Sequence, residues 1–597
     1  MLPANGTRSI PGPRTYRFGA CELDEASRSL RANGREIELQ PRVFDLLAYL
    51  VRNRERVVGK QELLERLWPG TIVVDNALQR VVSLARSALA AGGARDALRT
   101  YSRHGYRFCA EVESRDAAVA ATSPALERAR RAREARDWAG ALDAYEAADR
   151  ERALGADDLE AWGRIAIWAG RGADAIPPLE RALALRAAAD EPAAAARAAV
   201  LLAHIRIDRM EAAVASGLIS RAARYLEGEP TSREHGELAW VASLLALMQG
   251  ELDETLRRAE EAHALGLRLG DRDLECLGLL YRGHALIGLG DVGRGVALHD
   301  EAAAAASAGE VSPWVGGLLY CGVIAATRHR CDWQRAGQWT DEFTRWCGAS
   351  GMAAFPGTCR LYRAEILGVR GELAEAAREL EELAGVLSRI APWAEGDAHR
   401  ILGEIHLARG ELDAAEAAFR RAHALGWYPQ PGLARLQLAR GRPDAAVRGL
   451  EQALADHDWA IRERRGQLLA TLALAALAAG APERAREALG DLDGAAHLWS
   501  TPALAAMVAT ARAELALHER RRGEAVALLR QSLKQWHDIG ARLDCAEVRL
   551  RLAEVLAADG DRDAAELELA AAEALADRLG AARLRSRGAA LRRALQD

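Results

Sequence analysis

Lysine is almost missing from this chain: of its 80 basic residues, all but Lys60 and Lys534 are arginine. A phosphate-cradling loop ending in Gly-Lys-Ser/Thr is thereby excluded, since Gly59-Lys60 is followed by Gln61 and Arg54 stands where the first glycine is needed. Cysteine is sparse too. The eight cysteines contain no Cys-x-x-Cys pair, and the intervals of 10, 16 and 12 residues through Cys321, Cys331, Cys347 and Cys359, near His329, match no zinc spacing. Neither a metal nor any cofactor is expected. No run of about 18 apolar residues exists to cross a bilayer. The opening residues, with Pro3, Pro11 and Pro13, do not read as a signal peptide, so the expectation is a cytoplasmic protein with no membrane partner. Nucleophile-elbow, zinc-protease and paired-carboxylate patterns are also lacking, and no enzyme is expected.

What is abundant is alanine and leucine. They supply most of the 50% hydrophobic content, against 5% aromatics, which favours helices packed closely through small side chains. At 597 residues the chain exceeds what one hydrophobic core organises, about 250–300 residues, so a mainly α protein of more than one unit is expected. The net charge of −5 is unevenly spread: residues 16–112 hold 16 Lys/Arg against 12 Asp/Glu, whereas residues 113–597 carry −11. A basic head on an acidic body suits a nucleic-acid-binding end.

The head opens with alternation. YRFGACEL and LRANGREIEL read as short strands, with Asn33-Gly34 as a hairpin turn. From Gln40-Pro41 the period becomes helical through Val43, Leu46, Leu47 and Leu50. KQELLERLW gives a second helix, closed by Pro69-Gly70. DNALQRVVSLARSALA gives a third, with Leu78, Val82, Ala85 and Leu89 on one face and Asn76, Gln79, Arg80, Ser83, Arg86 and Ser87 on the other. LRTYSRHGYRFCAEV closes as a hairpin. Sheet, three helices and terminal hairpin make a winged helix-turn-helix over 16–112. A linker is expected at 113–124.

The run VVGKQELLERLWPGTIVVDNALQRVVSLARSAL, together with RTYSRHGYRF, resembles the DNA-binding domain of the OmpR/PhoB class, in the form found at the N-terminus of CadC-like and winged-helix ATPase-like one-component regulators. The resemblance implies binding to double-stranded DNA, with helix three in the major groove and the hairpin as wing. Base contacts then fall to Asn76, Gln79, Arg80, Ser83, Arg86 and Ser87. Arg42, Thr100, Arg103, His104 and Arg107 are assigned to backbone phosphates or a narrowed minor groove. The loop Trp68 to Val74 lies where the resembling class meets RNA polymerase. Two departures thin the grip: Ala85-Arg86-Ser87 stands for the usual Leu-Arg-Lys, and Arg103-His104-Gly105 for Gly-Arg-Gly. A homodimer or tandem sites would compensate. A phosphoacceptor domain has no room before residue 16, so phosphorelay input is not expected.

From residue 125 to 597 a cadence of two helices and a Gly- or Asp-containing turn recurs. Successive turns at Gly250, Gly290, Cys331, Gly371 and Gly410 are 40, 41, 40 and 39 residues apart; Arg136-Asp137, Gly170, Gly441, Gly480, Gly523 and Gly560 are further candidates. The period predicts a tetratricopeptide-like α-solenoid of about eleven units, and the region resembles the repeat arms of winged-helix and LuxR-type regulators. Eight of the 30 aromatics fall between Pro313 and Tyr362. Trp314, Trp333, Trp339 and Trp346 there are candidates for holding a protein partner or small ligand; the alternative is that they fill core gaps left by alanine. The function expected is a DNA-binding transcription regulator with a partner-binding arm. The alternative is a tetratricopeptide scaffold whose winged helix docks protein rather than DNA.

Overall fold

The computed structural model describes residues 14–24, 29–32, 35–37, 39–67, 75–91, 93–101, 104–116, 123–350, 358–390, 392–455, 459–495 and 501–596. The chain forms two compact units, Met1–Glu127 and Arg128–Asp597.

In the first unit a two-residue period builds the sheet. Tyr16 and Phe18 of β1 (Arg14–Phe18), Cys21 and Leu23 of β2 (Cys21–Asp24) and Leu30 and Ala32 of β3 (Ser29–Ala32) are buried, while Arg17 and Arg31 face solvent. β4 (Arg35–Ile37) pairs with β3. α1 (Pro41–Arg52) starts on a proline, where a missing N–H costs nothing, and buries Val43, Phe44, Leu46, Leu47, Leu50 and Val51. α2 (Lys60–Leu67) adds Leu63 and Leu67 to the same core, and α3 (Asp75–Ala90) adds Leu78, Val81, Val82, Ala85 and Leu89. A hairpin of β5 (Leu98–Tyr101) and β6 (Gly105–Phe108) brings Phe108 edge-on to Phe18, 4.9 Å between centroids.

One strand differs from the expectation. Glu113–Asp116, the start of the expected linker, is β7, pairing antiparallel with β1 and completing the order β4-β3-β2-β1-β7. Main-chain bonds to the open side of β1 hold it, so its sequence needs no apolar alternation and shows none.

The helices that follow number 25 among the described residues, α4 (Pro124–Glu134) to α28 (Ala582–Gln596), or twelve antiparallel pairs and a closing helix. The extra pair over the expected eleven escaped the sequence because its turns place Asp190 and Met210, not glycine, at positive φ. Gly250, Gly290, Gly371 and Gly410 sit at φ of 76° to 99°, where a side chain is strained and glycine is not. Cys331 occupies the equivalent place at 57°. Near the expected turn at Gly523, Arg520 takes the positive φ and Gly523 lies within α25 (Arg522–Ile539).

Even-numbered helices stack on one another: α8 (Pro192–Asp208), α10 (Arg233–Met248), α12 (Arg272–Gly288), α14 (Pro313–His329), α16 (Thr358–Arg370) and α18 (Pro392–Arg409) follow in order. The array also closes on itself. α14 touches α22 (Trp459–Ala478), α16 touches α26 (Arg542–Asp559) and α18 touches α28, while Gln467 Nε2 donates to the His329 carbonyl at 3.0 Å and Thr501 Oγ1 to that of Arg330 at 3.2 Å.

Charged residues tie three of these helices together. Arg328 of α14 donates through Nε to Glu365 of α16 and through Nη2 to Asp397 Oδ2 of α18 at 2.7 Å. Arg400 returns the pattern, Nε to Asp397 Oδ1 and Nη2 to Glu365 Oε1, both 2.7 Å. Asp397 is wholly buried and the two guanidinium groups nearly so. Burial alone raises a carboxyl pKa, yet Arg328 and Arg400 outweigh it and hold Asp397 well below the usual range. The Tyr362 ring lies 4.7 Å from the Arg328 guanidinium carbon.

Candidate nucleic-acid interface

The faces of α3 divide cleanly. Opposite the buried apolar residues, Gln79, Arg80, Ser83 and Ser87 are exposed, with the Ser87 hydroxyl bonded back to the Ser83 carbonyl at 3.1 Å. Asp75 is the helix's one acidic residue. Asn76 stands in the first turn; its side chain, like the whole of Arg103 and of residues 68–74, lies outside the described residues.

Arg86 behaves differently from Arg80. Its Nε and Nη2 both donate to the Leu98 carbonyl, at 3.0 and 2.9 Å, and Nη2 also to Thr100 Oγ1 at 2.7 Å. A planar fork gripping a carbonyl and a hydroxyl on β5 fixes the helix to the first wing strand. Arg86 and Thr100, assigned separately to base and backbone contact, are thus brought to each other. Arg80 makes no ion pair or hydrogen bond among the described residues and keeps its guanidinium in solvent.

The wing is held from its other side. Arg107 Nε donates to the Arg54 carbonyl at 2.9 Å, and Val58 exchanges two main-chain bonds with Tyr106, at 2.9 and 3.0 Å. Gly105 has φ +136°, and a Cβ there would meet the Val58 carbonyl oxygen at 2.0 Å, so the close approach requires glycine. His104 is exposed at the bend, and Arg42 is exposed in the first turn of α1.

Sequence reasoning missed the brace behind α2. Tyr49 donates to Glu62 Oε1 at 2.8 Å, and Arg56 Nη1 to Glu62 Oε2 at 2.8 Å. The bond from Arg56 holds the Glu62 carboxyl down at about 2. Each of the three reads alone as an ordinary surface residue; the signal that would have found them is that Tyr49 in the last turns of α1, Glu62 in the first turn of α2 and Arg56 in the short connection between them are brought close by that connection.

Of the four candidate tryptophans of the arm, Trp339 and Trp346 meet at Tyr320, whose ring centroid lies 6.2 and 5.7 Å from theirs, while Trp314 and Trp333 pack elsewhere. Trp339 donates to Asp300 Oδ1 at 3.1 Å; Trp346 stacks near Phe343, 5.9 Å, and against Tyr320, 5.7 Å. Trp333 packs against the core of the last helices. Trp314 faces elsewhere, its ring 5.8 Å from His204.

Residues 34–108 match the family model described as "Transcriptional regulatory protein, C terminal". Similar curated proteins include transcriptional regulatory protein PrrA of Mycobacterium tuberculosis, 31% identical over 107 residues, covering 18% of this chain and 46% of that one. The phosphate regulon regulator PhoB of Rhizobium meliloti is 34% identical over 91 residues, 15% and 40% of the two chains. The transcriptional activator CadC of Escherichia coli is 27% identical over 73, 12% and 14%. The chain spans less than half the length of these relatives. Among solved structures, the APC/C hetero-tetramer Cut9-Hcn1 covers 78% of this chain and 96% of its own, at 13% identity and a TM-score of 0.32. A Rap protein complexed with competence and sporulation factor covers 65% and 99%, at 13% and 0.35. Among the described residues no helix is long and apolar enough to cross a membrane.

Proposed function

The N-terminal unit carries an OmpR/PhoB-type winged helix, and on that premise we propose that the chain is a one-component transcription regulator, its arm receiving a protein partner or small ligand that changes binding to double-stranded DNA. The observation that carries the reading is the exposed face of α3: Gln79, Arg80 and Ser83 stand clear of the core with no acid beyond the first residue. An amide such as Gln79 matches the donor and acceptor of adenine, and a free guanidinium such as Arg80 matches guanine or a phosphate, each good base pairing contributing ~1–3 kcal/mol of discrimination. Asn76, in the first turn of α3, is assigned to a further base contact. Arg86 orients the helix on the wing instead of reading a base, while Arg42, Arg103, His104 and Arg107 are assigned to phosphate contacts. The 68–74 segment is the proposed contact with RNA polymerase.

The test is footprinting and anisotropy on promoter DNA over a series of salt concentrations, with wild type and the Gln79→Ala/Arg80→Ala double variant. Sequence preference should collapse in the variant while the winged helix stays folded; unchanged affinity and preference would overturn the assignment. A second reading, the scaffold, is favoured by the engagement of Arg86, which leaves Arg80 as the one uncommitted cation on α3 among the described residues. It expects no salt-dependent DNA affinity from the wild-type chain. Footprints one helical turn apart would support a homodimer.

A further inference from the structure

Asp208 is the last residue of α8, where the helix dipole already disfavours a negative charge. The arginines on either side of it are committed elsewhere: Arg206 to Glu211 and, at 3.0 Å, Glu180, and Arg209 to Glu211 at 2.9 Å. No described residue hydrogen-bonds or ion-pairs with Asp208. Burial raises its pKa, and His204, one turn back, is the group that works against the shift.

Its neighbours are aromatic and lie on consecutive stacked helices. His204 of α8 sits 5.2 Å from the ring of Trp240 on α10 and 5.8 Å from that of Trp314 on α14. Tyr281 of α12 completes the group: burial raises its phenol, a hydrogen-bonding approach of the Trp240 side chain lowers it, and the charge of Asp208 raises it further. His204 and Trp240 are 4% and 5% exposed, yet His204 Nδ1 and Trp240 Nε1 have no hydrogen-bond partner of normal geometry. Asp208, Tyr281 and Trp314 keep part of their surface accessible. A carboxyl with no described partner, one helical turn from a His204 flanked by aromatic rings, attracts one kind of ligand, an organic cation, and His204 Nδ1 offers a hydrogen-bonding atom beside it.

We propose that Asp208, Trp240, Tyr281, Trp314 and His204 form a binding site for a ligand bearing a guanidinium or protonated amine. This deepens the reading of the arm as the ligand-receiving part of a regulator by naming the chemistry received. The cation belongs either to a free small amine or to a basic side chain of a peptide.

Calorimetry on the full chain tests it with agmatine for the first source, N-acetyl-arginine amide for the second, and N-acetyl-citrulline amide as the uncharged match. At least one cation should bind, with the citrulline compound weaker by about tenfold or more. Asp208→Asn, which keeps size and shape, should weaken the cation by about tenfold or more and leave the melting temperature unchanged or higher. Trp240→Phe should weaken it less. Binding of neither cation at millimolar concentration, equal binding of the citrulline compound, or cation binding untouched in Asp208→Asn would each overturn the proposal. So would a lower melting temperature in that variant, since it would reveal a structural partner. DNA binding of the wild-type chain is measured in parallel: its failure with cation binding intact sinks the regulator reading alone, and the reverse sinks only this site.

Discussion

Two charged clusters of the arm meet burial in opposite ways. Around Arg328, Glu365, Asp397 and Arg400 every charge faces an opposite one on another helix or another turn, so these four charges balance one another through direct hydrogen bonds. Around Asp208 a carboxyl has no partner among the described residues, and one turn away His204 Nδ1, against the rings of Trp240 and Trp314, has none either. The first cluster ties α14, α16 and α18 into one body; the second leaves recognition capacity unspent. The same contrast recurs on α3, where Arg86 is satisfied within the chain and Arg80 has no partner among the described residues. A polar group whose partners lie inside the chain holds the fold, and one whose partners do not points outward, to something bound.

The largest effect should come from breaking the balanced cluster. Asp397→Asn removes the one carboxylate that is wholly buried and gripped by both Arg328 and Arg400 and leaves the two guanidinium groups short of compensation in a dry site, at a cost of about 3–5 kcal/mol; urea denaturation of the full chain, followed by circular dichroism, should show an earlier transition for the helical arm. The opposite sign in Asp208→Asn, the same chemical change, is the sharpest form of the comparison.

Acid probes the cluster without mutation. Glu365 and Asp397 are held below their ordinary values in the folded chain, because the two arginines outweigh burial. Their contribution is therefore present above the unfolded carboxyl pKa, about 4, and is lost as the pH falls below it. Melting temperature measured from neutral pH downward should fall in that acid range, and by less in Asp397→Asn.

Within the winged helix the expected effects are smaller. Gly105→Ala forces a methyl toward the Val58 carbonyl and should loosen the wing by about 1–3 kcal/mol, read as faster amide exchange at Val58 and Tyr106. Arg86→Ala removes charged hydrogen bonds to Leu98 and Thr100, destabilising the unit by about 1.5–3 kcal/mol and weakening all DNA sequences alike. Arg80→Ala should change stability by no more than about 0.5 kcal/mol while altering sequence preference. If Arg80→Ala destabilises and Arg86→Ala does not, the division between the two arginines is reversed.

The elements themselves were largely legible. Alternation at Tyr16, Phe18, Leu23 and Leu30, the proline at 41 and the apolar stripe from Leu78 to Leu89 name strand, helix and buried face in one dimension. Turns at Gly250, Gly290 and Gly410 were legible because glycine is the residue that tolerates positive φ, and those at Asp190, Met210 and Arg520 were obscured because another residue accepts the strain. The role of Arg86 was not legible, for its partners Leu98 and Thr100 lie 12 and 14 residues on, across the core.

What the sequence determined by itself is periodicity: a basic winged helix at the front, paired helices behind it, and which face of each element turns inward, since these follow from local sterics and the alternation of apolar residues. What only the tertiary structure decided is pairing. Arg328 finds Glu365 and Asp397 across 37 and 69 residues, while Asp208, flanked by two arginines, finds neither. Electrostatic partnership depends on distance in space and on the water removed from around it, and neither is written in the order of the residues.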